Sequence, residues 1–297
     1  MKILVTGASG FVGSALLPAL ASAGHQVTAL VRRPPRPGAA ELQWNPLGQP
    51  DPAPFSGADA VVHLAGENIA AGRWNPRRKA LILNSRVQST QAVAAAMARA
   101  NPRPRVLVSA SAIGYYGDRG SELLTETASP GSDFLADVAL QWESATQAAG
   151  ASGVRVVCLR TGLVLSARGG ALPRMLTPFR LGLGGPIGNG QQWMSWITLD
   201  DLVSLIRFAL ENDRARGPVN AVAPNPVANA DFTKALAHAL HRPAIFPLPA
   251  FMVRLLFGEM GQALLLGSQR VQPAAALAAG FTFRHPDLAS ALQHVLQ

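Results

Sequence analysis

The sequence predicts an α/β fold, a doubly wound parallel sheet with a smaller α/β region at its C-terminal end, from three features. An apolar run, Lys2-Ile3-Leu4-Val5, passes directly into Thr6-Gly7-Ala8-Ser9-Gly10-Phe11-Val12-Gly13 and a helical stretch to Ala23. A second apolar run, Gln26 to Val31, follows at the spacing of a strand–helix–strand unit. From Gly169 the alternation of strand and helix patterns breaks down, and glycine and proline become dense, as in Gly182-Leu183-Gly184-Gly185-Pro186-Ile187-Gly188-Asn189-Gly190. The first two features assign a sheet domain to residues 1–165, which later segments can also supply with strands. The third assigns a covering region to residues 166–297, including a small C-terminal domain from about residue 245.

The N-terminal turn carries the first chemical signal. Gly7, Gly10 and Gly13 have the GxxGxxG spacing, and each missing side chain has a use: the turn off the strand, close backbone approach to a pyrophosphate, and tight helix-to-sheet packing. The helix behind them repeats Phe11, Val12, Ala15, Leu16, Ala19 and Leu20 on one face. Its unpaired N–H groups and positive dipole end suit an anion. Pro18 removes one donor and bends the helix. Thr6, Gly7, Ser9, Gly10, Phe11, Val12 and Gly13 are therefore the first dinucleotide-binding candidates, and the domain is of Rossmann type.

The end of the second strand selects the dinucleotide. An NAD site usually places Asp or Glu there for the ribose hydroxyls. This chain has Arg32 and Arg33 with no acid beside them. Two guanidinium groups suit the extra phosphate of NADP, so NADP is expected in preference to NAD.

Glu41 to Trp44 is expected as a short edge strand, followed by a proline-rich loop over residues 46–54. Asp59 to Gly66 reads as a buried strand whose end, Leu64-Ala65-Gly66, passes the cofactor; His63 is expected to be a satisfied core histidine. Pro76 to Ala100 is a long helix, stopped by Asn101-Pro102. Val106 to Ala110 is the next strand, delivering Ser109, expected as a cofactor-binding residue, and Ser111, Tyr115 and Tyr116 into a loop on the ligand-binding edge. A helix to about Gly150 and a strand from Arg155 to Leu159 complete the domain. Beyond it lie helices over Leu199 to Asn212, introduced by Asp200 and Asp201; over Asp231 to Leu240, with Asp231 as N-cap; and over Asp287 to Leu296. Pro247 to Leu266 is an apolar helical segment broken near Gly258, expected as core or as the contact of a homodimer.

Composition narrows the partners. The chain has 297 residues, 48% of them hydrophobic and 14% charged, which is enough for a large core. No run approaches a membrane span, and the N-terminal apolar residues belong to a strand rather than a leader, so a cytoplasmic protein without membrane attachment is expected. The single cysteine, Cys158, sits in an apolar run as a reduced core thiol, and no cysteine metal cluster is available. The net charge of +9 comes from scattered arginines, a pattern that disfavours nucleic acid and fits an anionic small ligand.

At this point the motifs carry a likeness. The glycine turn, His63-Leu64-Ala65-Gly66, the serine strand before Tyr116-Gly117, Leu124-Thr125-Glu126, Leu159-Arg160 and Ser195-Trp196-Ile197-Thr198-Leu199-Asp200-Asp201 come in the order seen in extended short-chain dehydrogenase/reductases. The chain resembles their NAD(P)-dependent sugar-nucleotide epimerase/dehydratase group over its whole length. Asn84-Ser85-Arg86, Ser109 to Gly117 and the tail from Gln269 to Phe281 are similar to an atypical bacterial branch with a small C-terminal domain of its own. The resemblance implies a Tyr-x-x-x-Lys pair on the helix after the serine strand, where lysine eases proton exchange by the phenol. That helix reads Phe134-Leu135-Ala136-Asp137-Val138-Ala139-Leu140-Gln141-Trp142-Glu143. Aligned on Glu143, Phe134 or Leu135 takes the tyrosine place and Val138 or Ala139 the lysine place.

Ser111 matches the serine that hydrogen-bonds a substrate oxygen, and the chain's two tyrosines, Tyr115 and Tyr116, follow it. These three are the catalytic candidates, a tyrosine replacing the missing acid with help from Arg119 or another arginine, since an unassisted phenol titrates near ~10. Three readings remain open at this stage: an NADP-dependent oxidoreductase or epimerase-like protein acting on a small substrate with an altered proton-transfer site, a catalytically silent NADP(H)-binding sensor or regulatory protein, and, least favoured, a nucleic-acid or scaffold role.

Overall fold

Ile3, Leu4 and Val5 are all buried, the mark of a strand covered on both faces. In the computed structural model, which describes residues 1–46 and 51–297, these residues form the centre of a seven-stranded sheet. Residues 47–50 of the proline-rich loop lie outside the described residues. The elements run β1 (Lys2–Thr6), α1 (Phe11–Ser22), β2 (Gln26–Val31), β3 (Glu41–Gln43), β4 (Ala60–His63), α2 (Pro76–Arg99), β5 (Val106–Ala112), β6 (Leu123–Leu124), α3 (Phe134–Ser144), α4 (Gln147–Ala151), β7 (Arg155–Thr161) and β8 (Leu163–Leu165). They continue with α5 (Leu172–Arg180), β9 (Trp193–Met194), β10 (Trp196–Thr198), α6 (Leu199–Glu211), β11 (Gly217–Ala221), β12 (Val227–Ala228), α7 (Asn229–Leu240), α8 (Ala250–Gly261), β13 (Arg270–Val271), α9 (Ala274–Ala278) and α10 (Leu288–Leu296).

The sheet order is β11-β7-β5-β4-β1-β2-β3, parallel throughout. The chain winds outward from β1 through β2 and β3, then returns to the other side of β1 as β4. The switch point therefore lies between β1 and β4, and ligands of such sheets bind in the crevice beyond the strand ends there. The edge strand β11 comes from beyond residue 165, so the sheet domain is not continuous in sequence.

One face of the sheet is covered by α1 and α6, with Leu16, Leu20, Leu202, Leu205 and Ile206 packed on Ile3, Val5, Val62 and Val108. The other is covered by α2, through Ala92, Val93, Ala96 and Met97. The C-terminal segment is threaded into the same cores: Ala276, Phe281 and Phe283 join the α1/α6 face, and Leu288, Ala291 and Leu292 pack with Phe232 and Leu236 of α7. Three two-stranded ribbons, β10-β8, β12-β9 and β13-β6, occupy the C-terminal side.

Several local expectations shift. The serine strand runs to Ala112, so Ser109 and Ser111 lie within β5, and only the tyrosines lie in the turn after it. The helix expected to run to Gly150 ends at Ser144 and resumes as α4. Thr198 caps α6 by accepting from the Asp201 amide at 3.1 Å. Asp201 is instead buried, and its carboxylate accepts the amides of Arg284 and His285, which ties the tail to α6. Asp231 lies in the first turn of α7, not at its cap, where its charge still suits the dipole. Gly258 does break α8, with φ of 60°.

Candidate cofactor and catalytic site

The N-terminal turn is built by contact. A Cβ on Gly7, whose φ is +68°, would lie 2.7 Å from the carbonyl carbon of Leu64, and one on Gly13 would lie 2.3 Å from the Gly7 oxygen. Both neighbours are backbone and cannot give way, so glycine is what lets β1, β4 and α1 meet at the switch point. The Gly10 amide donates to the Gly7 oxygen at 2.9 Å. Gly10 is the N-cap and offers no side-chain acceptor, and the first turn of α1 holds no acid. The amides of Phe11, Val12 and Gly13 therefore face the crevice at the positive end of the helix without intrahelical acceptors. The residues present fit a pyrophosphate by donor type and by the close backbone approach.

Thr6 is buried and its hydroxyl is spent on His63, at 2.6 Å from Nδ1. Ser89 lies 3.2 Å from His63 Nε2 and gives its own proton to the Ser85 oxygen. One tautomer satisfies all three groups: Nε2–H donates to Ser89, and Nδ1 accepts from Thr6. Burial pushes the His63 pKa down to about 4, so the ring is neutral at pH 7. This is the satisfied core histidine expected from sequence. Ser9 is exposed beside the turn, Phe11 packs its ring on Gly169 and Gly170, and Leu64, Ala65 and Gly66 line the β4 side of the crevice.

The two arginines after β2 differ. Arg33 forks onto Glu41 at 2.9 and 2.7 Å, and Arg36 joins it at 2.8 Å. The hydrogen bonds from Arg33 and the Arg36 amide hold the Glu41 carboxyl down at about 2. An acid is thus present after all, brought from β3, where Ala29 pairs with Glu41, and it occupies Arg33. Arg32 is exposed, with no side-chain partner among the described residues.

At the end of β5, Ser109 is buried and donates to the Ala110 oxygen at 3.3 Å. Ser111 is buried as well, and it donates to Glu143 Oε1 at 2.7 Å, so the proton expected for a substrate oxygen is committed inside the protein. Glu143 also takes a two-point grip from Arg160. Tyr116 is fully enclosed: its hydroxyl donates to Asn220 Oδ1 at 2.6 Å and accepts from Arg160 Nη1 at 3.0 Å. Burial raises its pKa, which together with enclosure makes it a brace rather than a proton donor to substrate. Tyr115 is half-buried, with Arg160 stacked 3.4 Å from its ring centroid and no hydrogen bond to its hydroxyl among the described residues. Arg119 is paired with Glu122 and reaches Ser129, so the arginine beside the tyrosines is Arg160.

On α3 the place expected for tyrosine is apolar. Phe134 meets Trp74 edge-on at 5.2 Å and lies under the Lys79 ammonium at 4.8 Å. Val138 and Ala139 are buried. Lys79, which is ion-paired with Glu259 at 2.6 Å, Glu143, and Arg86, which lies against Gly66, stand around this place, and sequence reading did not single them out for chemistry; their only signal is their charge.

The NAD dependent epimerase/dehydratase family matches residues 3–222. The chain belongs to this family. A domain of unknown function, DUF1731, matches residues 248–295. The epimerase family protein Mb2239 of Mycobacterium bovis is 44% identical over 291 residues, covering 98% of this chain and 96% of that protein. Among solved structures, the human epimerase family protein SDR39U1, crystallised with NADPH, is 38% identical and superposes with a TM-score of 0.92 over 99% of each chain. A nucleoside-diphosphate sugar epimerase from Corynebacterium glutamicum is 41% identical, with a TM-score of 0.83, covering 100% of this chain and 58% of that one.

Proposed function

We propose that this chain is an NADP(H)-dependent oxidoreductase or epimerase-like protein acting on a small substrate, with a proton-transfer site other than the Tyr-Lys pair. The observation that carries the reading is the glycine-packed turn at the switch point, with three free amides at the start of α1. The NADPH in the human relative supports the same dinucleotide here. NADP(H) supplies hydride exchange when bound. The chain's part is to hold the pyrophosphate on the amides of Phe11, Val12 and Gly13, to meet the extra phosphate with Arg32, and to pass the dinucleotide along Leu64-Ala65-Gly66. Tyr115 is the group that moves a proton at the substrate, since its hydroxyl is the one phenol of this turn not committed to the protein. Arg160 orients that ring, and is itself fixed by Glu143.

A second reading, an NADP(H)-binding sensor without turnover, is favoured by the apolar α3 face and by the internal commitment of Ser111. Fluorescence titration with NADPH and NADH, on wild type and Arg32→Ala, tests the cofactor. Tighter NADPH binding that weakens in the variant supports it, and absence of binding to either dinucleotide overturns both readings. Hydride exchange across a panel of carbonyl compounds then separates enzyme from sensor.

A further inference from the structure

We propose that Arg86 is an oxyanion-binding residue of the crevice, its guanidinium holding a phosphate or carboxylate group of a bound ligand. Arg86 stands on α2 and reaches the end of β4, where a Cβ on Gly66 would lie 3.4 Å from its Cζ. Gly66 is exposed, so the guanidinium meets the crevice across a residue with no side chain. Its other face lies 5.0 Å from the ring of Trp142 on α3.

The group is short of partners. Its hydrogen bond is from Nη1 to the Ile82 oxygen at 3.1 Å, and no carboxylate lies within ion-pair distance among the described residues. A guanidinium carries five donors, so most are unspent. Three other inward-facing arginines do have a carboxylate, Arg160 with Glu143, Arg78 with Glu67 and Arg155 with Asp213, whereas Arg270, stacked on Trp193, likewise has no ion pair among the described residues. Burial lowers the Arg86 pKa to about 10, which leaves it charged at pH 7. Beside it, the indole N–H of Trp142, a residue only 6% exposed, has no acceptor among the described residues. An inward cation with no ion pair of its own, the neighbouring Glu67 being already taken by Arg78, next to an orphaned donor, is a costly arrangement for the free protein. A planar fork aimed past Gly66 matches the paired oxygens of a phosphate or carboxylate. The location follows the proposed function, since the Leu64-Ala65-Gly66 edge continues from the glycine turn. Two ligands could bring the oxyanion there, the dinucleotide or the substrate.

The test uses the full chain as wild type, as Arg86→Met, which keeps the apolar stem, and as Arg86→Lys, which keeps the charge without the fork. NADPH is titrated by fluorescence. Inorganic pyrophosphate is titrated by calorimetry, on cofactor-free and on NADPH-saturated protein, and thermal midpoints are recorded without ligand. A loss of NADPH affinity of about tenfold or more in Arg86→Met, partly recovered in Arg86→Lys, assigns the oxyanion to the dinucleotide. Unchanged NADPH affinity with loss of pyrophosphate binding to the saturated protein assigns it to the second ligand. In both cases the ligand-free midpoint of Arg86→Met equals or exceeds that of wild type, because a partly buried charge with no ion pair has been removed. Affinities that are all retained, or a ligand-free midpoint that falls by several degrees with binding intact, overturn the proposal and leave Arg86 a packing residue. A wild type that binds no NADPH defeats the cofactor reading separately, and pyrophosphate on the cofactor-free protein then decides for or against Arg86.

Discussion

Arg160 grips Glu143 through Nε and Nη2, each at 2.8 Å, so that β7 and α3 are joined by a two-point ion pair directly behind the tyrosine turn. Burial opposes the Arg160 charge, but Glu143 and Tyr116 outweigh it and raise the guanidinium pKa above its ordinary value. From this pair the bonds extend to Ser111 on β5, Tyr116 in the turn and Asn220 on β11. Three neighbouring strands and a helix thus share one polar network where the sheet meets the crevice.

Removing one partner leaves the other charge buried, with side-chain exposures of 4% for Arg160 and 15% for Glu143. Arg160→Met is expected to lower unfolding free energy by about 3–5 kcal/mol, and the double variant Arg160→Met with Glu143→Leu to recover part of that loss. Urea denaturation of the singles and the double measures the coupling. Additive losses would show that the two residues act independently.

His63 makes stability depend on pH. Its folded pKa of about 4 lies below the ordinary 6.5, so the unfolded chain binds the proton more readily in that interval. Stability is therefore fully present above the unfolded value and is lost as pH falls toward the folded one. Between pH 7 and pH 5 the loss attributable to this ring is about 2 kcal/mol. Thermal or urea unfolding at both pH values, on wild type and His63→Gln, isolates it: the variant is less stable at pH 7 but lacks this component of the slope. An equal slope in both would assign the acid sensitivity to other groups.

The elements legible in the sequence were those with local signals. The strand–turn–helix start, β2, α2 and the break at Gly258 follow from periodicity, glycine and proline. The missing information was pairwise and distant. Nothing near Arg33 in sequence announces that β3 will pair beside β2 and bring Glu41 to it. In the sequence Glu143 serves only to align the helix and Arg160 only as part of a motif, and nothing local shows that the two pair once α3 packs over β7. Arg86 belongs to a motif of the resemblance, but no role for it is legible until α2 is laid against the end of β4. The edge strand β11 was displaced in sequence by the intervening C-terminal-side ribbons, which carry no periodic pattern long enough to mark their partners.

The glycine turn separates steric from conformational demand. Gly13→Ala places a methyl 2.3 Å from the Gly7 oxygen and 2.8 Å from the Ala8 Cα, both backbone, so α1 must move off the sheet. A loss of about 1–3 kcal/mol and of NADPH binding together is expected. Gly24→Ala is the control: its φ is +82° but a Cβ there meets nothing within 4 Å. It should cost about 1–2 kcal/mol from backbone strain alone and leave NADPH affinity unchanged. Equal effects of the two substitutions on binding would remove the turn from the cofactor site.

The two tyrosines are neighbours with opposite expected phenotypes. Tyr116→Phe deletes a buried hydroxyl that bridges Arg160 and Asn220, at 3.0 and 2.6 Å, leaving Asn220 Oδ1 without its donor and Arg160 Nη1 with the Glu126 oxygen alone. It is expected to cost about 1–3 kcal/mol of stability, visible as a lower thermal midpoint. Tyr115→Phe deletes a hydroxyl with no partner among the described residues and keeps the ring under Arg160, so its stability should lie within about 0.5 kcal/mol of wild type. If Tyr115 moves the proton, the same variant loses turnover by about a hundredfold or more while NADPH affinity is retained. The pattern to look for is a stable, cofactor-binding, inactive Tyr115→Phe beside a destabilised Tyr116→Phe that keeps activity at low temperature. Full turnover in Tyr115→Phe would remove that tyrosine from the chemistry.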